Sequence, residues 1–144
     1  MDSTKNGFSI STDKEKLDVD LIHSFLSGTY WAEGISKEII RRSIEGSLCF
    51  GVFENNKQIG FARMITDKAT FAYLADVFII GEYRGRGLSK WLMEVIMSHP
   101  DLQRLRRMIL VTKDAHGLYE QFGYVPLMNV ERWMEKLDPD VYKR

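Results

Sequence analysis

Little in this chain is available for cross-linking, membrane insertion or metal binding. Cys49 is the single cysteine among 144 residues, so no internal disulfide can form and a reducing, cytoplasmic setting is expected. Three prolines are too few for a proline-rich linker. No apolar run approaches the ~20 residues of a membrane helix, and the opening MDSTKNGFSIST has no apolar signal core. A membrane is therefore not an expected partner. Twenty Lys and Arg balance twenty Asp and Glu, so no overall field draws nucleic acid. No grouping of His, Cys, Asp and Glu has metal-ligand spacing, and no metal is expected. No internal repeat is visible. What remains is 44% apolar and 28% charged, ordinary values for a globular chain. The length suits one domain over residues 1–144.

Patterns along the chain place the elements. Phe8–Ser11 reads as a short strand. Asp18 or Asp20 can cap a helix carrying Leu21, Ile22, Phe25 and Leu26, with Gly28 at its end. Thr29–Ile35, TYWAEGI, has no clean period and reads as a loop. Ser36 can cap a second helix with Ile39, Ile40 and Ile44, ending at Gly46. Leu48–Glu54, an Asn55-Asn56 turn and Gln58–Thr66 make a β-hairpin. Phe71–Ile80 is a longer strand, apolar except for Asp76. Leu88, Trp91, Leu92, Val95 and Ile96 fall on one helical face, and Pro100 follows. Leu105–Val111 holds an apolar run typical of a strand covered on both faces. Asp114 can cap a short helix with Ala115, Leu118 and Phe122, closed by Gly123. Val125–Leu127 and Glu131–Leu137 are weaker strand candidates. Strand, helix, apolar strand is a βαβ unit with parallel strands. The whole reads as an α/β (α+β) fold with a mixed sheet.

Between the long strand and its helix lies GEYRGRGLSK, Gly81–Lys90. Glycine permits tight backbone angles and close approach of a ligand. A helix start offers free N–H groups and the positive end of the dipole, together an anion site suited to phosphate. Arg84, Arg86 and Lys90 add charge at the rim. A turn that merely needs glycine, with solvated arginines, explains the loop equally well. The loop lacks the Gly-Lys-Ser/Thr ending of a P-loop. Lys90 stands where a dinucleotide fingerprint needs its third glycine.

Arg84-Gly85-Arg86-Gly87-Leu88-Ser89 resembles the hallmark of the GNAT acyl-CoA-dependent N-acetyltransferases: Arg or Gln, two residues, Gly, one residue, Gly or Ala. Ser89 replaces the last small residue. AHGLYEQFGY, Ala115–Tyr124, resembles the family's LYE-x-x-GF signature. Order and spacing agree from about Leu48 to Leu127. The resemblance implies a GNAT fold, with six or seven strands flanked by about four helices, and acetyl-CoA as cofactor. It puts the pyrophosphate on the amides of Gly85, Arg86, Gly87, Leu88, Ser89 and Lys90, beside Arg84. The pantetheine arm would pair with Val77, Phe78 and Ile79 near a splay between the fourth and fifth strands. These three residues also read as plain core.

The implied chemistry is direct attack of an amine on the thioester within a ternary complex. A backbone N–H near Val77–Ile79 would stabilise the oxyanion, and Tyr119 would protonate the departing thiolate. Tyr119 also reads as a ring that fills its helix face. Asp76, a charge inside an apolar strand, is either the amine's base, directly or through water, or the partner of a salt bridge to Arg63. His116 ranks below it. Cys49 reads as a small buried side chain. Tyr30, Trp31 and Glu33 border the acceptor pocket by the same resemblance, and aromatic faces with a carboxylate suit a cationic amine. The leading expectation is acetylation of a small-molecule primary amine. The alternatives are a protein or peptide acceptor, and a CoA-binding sensor without turnover. Family members often pair through C-terminal strands, so a homodimer is a further expectation.

Overall fold

Asn6-Gly7 sets the first turn. In the computed structural model, which describes residues 2–144, this pair has φ values of +51° and +85°. It joins β1 (Asp2–Lys5) to β2 (Phe8–Ser11), with Lys5 opposite Phe8. The strand β1 is absent from the sequence reading because DSTK is polar, largely exposed and without alternation. The Asn-Gly pair was its one signal.

Two helices follow. Asp18 caps α1 (Val19–Leu26) by accepting from the Leu21 N–H at 3.0 Å. Asp20 instead pairs with Lys37 of α2 (Lys37–Glu45) at 2.9 Å, tying the two helices together. Ser36 caps α2 and Gly46 ends it, as its sequence predicts. Then come β3 (Leu48–Glu54), β4 (Lys57–Thr66), β5 (Phe71–Ile79), α3 (Leu88–Ser98), β6 (Arg107–Leu110) and α4 (His116–Glu120).

The six strands form one sheet in chain order. All neighbours are antiparallel except β5 and β6, which are parallel as the βαβ reading requires. Six strands and four helices fall within the expected architecture. The sheet separates two cores. On one face Leu92, Met93 and Ile96 of α3 cover Phe50, Val52, Met64 and Leu74. On the other, Ile22, Leu26, Ile40 and Ile44 of α1 and α2 cover Cys49, Phe61 and Phe78. Cys49 is the small buried side chain its surroundings predict, and burial pushes its thiol up to about 11.

Three expectations fail. The run Leu105–Val111 shrinks to four residues at the sheet's edge, half-buried rather than covered on both faces, and Val111 is 79% exposed. No strand beyond β6 pairs with it among the described residues. Asp114 caps nothing: Ala115 holds the cap position of α4, and its N–H donates to Thr112 Oγ1 at 3.0 Å. Val125–Leu127 and Glu131–Leu137 are not strands. Pro126 removes a backbone donor, Asn129 turns left-handed at φ +54°, and a 3-10 turn occupies Val130–Arg132. Trp133 lies under the Arg107 guanidinium at 5.0 Å. This tail then returns to the molecule: Tyr142 packs on the second core, and a Cβ on Gly34 would stand 2.7 Å from the Tyr142 carbonyl oxygen.

Candidate active site

Opposite β4, the strand β5 carries one extra residue. Phe61 faces Phe78 and Arg63 faces Ala75, so two residues of β5, Asp76 and Val77, oppose Ala62. Asp76 takes φ +57° within this bulge. On the other side, β5 pairs with β6 only from Phe71–Arg107 to Leu74–Leu110. From Ala75 to Ile79 the outer edge of β5 therefore has no neighbouring strand. Its inner edge stays attached, and the Ile80 N–H donates to the Ile59 carbonyl at 2.8 Å. An open run of backbone donors and acceptors invites an extended chain to pair with it.

This edge leads straight into the glycine loop. A 3-10 turn, Gly81–Tyr83, is followed by Gly85 at φ +79° and Gly87 at φ +75°. Both glycines are demanded by their angles: a Cβ at either would meet no other atom within 4 Å. Gly87 is the residue before α3, and no side chain caps that helix. The first amides of α3 therefore have no intrahelical or side-chain acceptor. A small cavity of about 110 Å³ lies there, lined by Ile79, Tyr83, Gly85, Gly87, Ser89 and Lys90 among others. Arg84 Nε donates to the Ile79 carbonyl at 3.0 Å and locks the loop to the strand. Arg86 lies over the Tyr83 ring at 5.2 Å, and Tyr83 donates to Glu54 at 2.9 Å. A larger depression of about 450 Å³ at the β1–β2 hairpin is lined by turn residues such as Asn6, Gly7 and Asn55, away from the glycine loop.

At the other end of the open edge, Asp76 is held on both oxygens. Arg63 Nε reaches one at 2.9 Å, with both side chains largely shielded from water. Trp31 Nε1 donates to the other at 3.2 Å. Arg63 also donates to Ser47 Oγ at 3.0 Å, and Ser47 donates to the Ser43 carbonyl at 2.7 Å. Lys113, from the loop after β6, sits 5.6 Å over the Tyr30 ring. Tyr119 of α4 is 8% exposed, and burial pushes its phenol above the usual range, so it keeps its proton at neutral pH.

The sequence profile of the acetyltransferase (GNAT) domain matches residues 45–126, which hold the bulged strand, the glycine loop and Tyr119. This chain belongs to the GNAT acetyltransferases. A candidate acetyltransferase of the fungus Gibberella zeae is 32% identical over 139 residues, covering 81% of this chain and 77% of the relative. The crystal structure of a candidate GNAT acetyltransferase from Xanthomonas campestris pv. campestris superposes with a TM-score of 0.94 at 48% identity, covering 98% of this chain and all of that one. A Clostridium acetobutylicum acetyltransferase crystallised with acetyl-CoA shares the fold at a TM-score of 0.65 and 14% identity, covering 95% and 96% of the two chains.

Acetyl-CoA is the cofactor that accompanies membership of this family, and the residues of this GNAT chain fit it. Unfilled amides at a helix start, glycine turns, a cationic rim and an open strand edge together match a diphosphate joined to an extended arm. Of the predicted residues, Ile79, Arg84, Gly85 and Gly87–Lys90 line the small cavity, while Val77, Phe78 and Arg86 lie outside its lining. Trp31 meets Asp76 through the indole hydrogen bond, and Tyr30 packs edge-on against Trp31 at 5.2 Å. Glu33 does not join them; it lies 4.0 Å from Lys143 near the C-terminus. Phe78 is spent on the core, stacked on Phe25 at 4.0 Å. Lys113 escaped the sequence reading because a lone loop lysine looks solvated. Tyr124 escaped it because a tyrosine closing a short helix looks like packing.

Proposed function

We propose that this GNAT protein transfers the acetyl group of acetyl-CoA to a primary amine of a small molecule, with both bound at once. The observation that carries the reading is the unpaired edge at Ala75–Ile79 running directly into the uncapped start of α3. Bound acetyl-CoA supplies an activated acetyl thioester. The amides of Gly85 and Gly87–Lys90 would hold its diphosphate, with Arg86 and Lys90 adding charge at the rim, and the backbone of Val77–Ile79 would hold its arm. Arg84 braces the loop. Placing two reactants side by side accounts for a large share of acyl-transfer rates. A backbone N–H at residues 77–79 would stabilise negative charge developing on the thioester carbonyl oxygen.

Tyr119 holds a proton at its hydroxyl for the departing sulfur. Asp76, paired with Arg63 and Trp31, would take the acceptor's proton through water. Tyr30 and Trp31 give that acceptor aromatic faces, and Glu33 contributes negative charge further out. The Tyr119→Phe variant should turn over about tenfold more slowly, roughly 1.4 kcal/mol in barrier, with an unchanged melting midpoint.

We also propose that two copies pair through the C-terminal segment. Val125, Met128, Val130 and Met134 are all more than 60% exposed, on a tail whose Trp133 packs against Arg107 at the start of the edge strand β6.

Thermal melting with CoA, ATP and NAD, then thiol release across an amine panel, tests the reading. CoA alone should raise the midpoint, stabilising the fold by about 2.7 kcal/mol at a hundredfold excess over Kd, and at least one small amine should accelerate thiol release. Acceleration by peptides only would move the acceptor to proteins. Binding with no acceptor in either class would make the protein a CoA sensor.

A further inference from the structure

Position 124 carries a hydroxyl for which the fold has no use. Gly123, at φ +90°, closes α4, and the Tyr124 N–H donates back to the Tyr119 carbonyl at 3.3 Å. That turn brings the Tyr124 ring against Tyr119, with centroids 6.0 Å apart and planes at 68°. Both rings belong to the core beneath α3. The Tyr124 hydroxyl oxygen is buried with no hydrogen-bond partner, the only such side-chain atom among the described residues. A buried hydroxyl without a partner has lost its water and gained nothing in return. Phenylalanine would fill the same space without that loss.

The surroundings indicate what the hydroxyl can serve. Burial, reinforced by the neighbouring Tyr119, pushes the Tyr124 phenol up to about 12, so it is a donor at any working pH. Its oxygen is sealed from solvent and does not form part of the open edge. The ionisable group packed against it is the Tyr119 phenol, whose own burial penalises a negative charge.

We infer that Tyr124 is a positioning residue for Tyr119: its hydroxyl donates a hydrogen bond to the Tyr119 oxygen once the cofactor is bound and Tyr119 surrenders its proton. In that step the Tyr119 O–H bond breaks and an S–H bond forms on the leaving thiol. Tyr124 keeps its proton and shares it with the phenolate. The acceptor nitrogen loses its first proton to Asp76 before attack; the second, lost after attack, restores Tyr119. The two hydroxyls are not hydrogen-bonded in this structure, and the contact belongs to the cofactor-bound state. The inference rests on Tyr119 being the donor proposed above.

Tyrosine labelled with 13C at Cζ tests it, with the six tyrosines assigned through single Tyr→Phe variants. CoA should move both the Tyr119 and Tyr124 resonances of the wild-type protein. In Tyr119→Phe, CoA should still raise the melting midpoint while the Tyr124 resonance stays in place. Tyr124→Phe should melt no lower than wild type, keep the full CoA-induced rise, and release thiol about tenfold more slowly. A merely structural ring would leave that rate unchanged. The inference is overturned if CoA binds the wild-type protein and leaves the Tyr124 resonance unmoved, or if Tyr124→Phe releases thiol at the wild-type rate. Should Tyr124→Phe not fold, the wild-type and Tyr119→Phe spectra decide alone. Absence of any CoA-induced rise in the wild-type midpoint is a different failure: it removes the cofactor reading and this inference with it.

Discussion

At Asp76 the backbone turns left-handed, φ +57°, inside a strand that is otherwise extended. A non-glycine residue rarely takes such angles without compensation. Here the compensation is visible: Arg63 and Trp31 hold the carboxylate from two sides. The sequence reading left Asp76 balanced between a base and an ion-pair partner. The ion pair is present, and the Trp31 hydrogen bond to the other carboxylate oxygen anchors the loop Thr29–Ile35 to the bulge. Asp76→Asn leaves the Arg63 guanidinium shielded from water without a counter-charge. It should cost about 3 kcal/mol in urea unfolding, and the second variant Asp76→Asn/Arg63→Met should recover most of that loss. No recovery would mean that the bulge, rather than the charge, needs aspartate. Residue roles of this kind were only half legible, because the partners of Asp76 lie 13 and 45 residues away in the chain. Lys113 was illegible for the same reason, since its partner Tyr30 is far back in the chain; Tyr124 was illegible although Tyr119 is close by in sequence. Nothing local distinguishes them from a solvated lysine and a packed ring.

Elements were far easier to read than partners, because caps and periodicity are local. Ser36, Gly46, the Asn55-Asn56 turn and the apolar face of α3 each carried its own signal, and each element formed where that signal stood. The failures sit where context decides. Leu105–Val111 is apolar enough for a central strand but occupies an edge, and the alternation in Glu131–Leu137 finds no strand to pair with. One junction holds a pH device that no pattern announced. His99, 7% exposed, ends α3, and its Nδ1 accepts from the Asp101 N–H at 3.1 Å, so the ring must be neutral on that nitrogen. Burial lowers its pKa below the usual 6.5. Below pH 6.5 the unfolded chain therefore binds a proton that the folded chain refuses, and stability falls as the pH drops. Above pH 6.5 both states are neutral and the contribution is constant. The melting midpoint should thus rise between pH 5 and 6.5 and then level off. His99→Asn keeps a capping acceptor and should flatten that rise. An unaltered rise would assign it to other groups.

Across the whole molecule, the sheet does two jobs. Five antiparallel strands give a rigid platform, and the single parallel pair, ended early at Leu74–Leu110, parts to expose backbone beside a helix start. The fold class and the glycine loop were readable from the sequence. The splay was readable only through the family resemblance, since it depends on where β6 stops. The tail beyond Tyr124 completes the picture. Its exposed valines and methionines should draw two 16.7 kDa chains into a dimer. Analytical ultracentrifugation should find twice the chain mass, and Val130→Glu/Met134→Glu should return the protein to one chain. A wild-type monomer at all concentrations would refute that pairing.

The account as a whole stands on backbone groups, so backbone amides are the place to test it. Amide 15N–1H spectra should be recorded as CoA, and separately adenosine 3′,5′-diphosphate, are titrated into the protein. Both ligands should move the amides of Gly85 and Gly87–Lys90, and only CoA should also move those of Val77–Ile79. Saturable binding of CoA that shifted amides elsewhere and left both sets in place would contradict it.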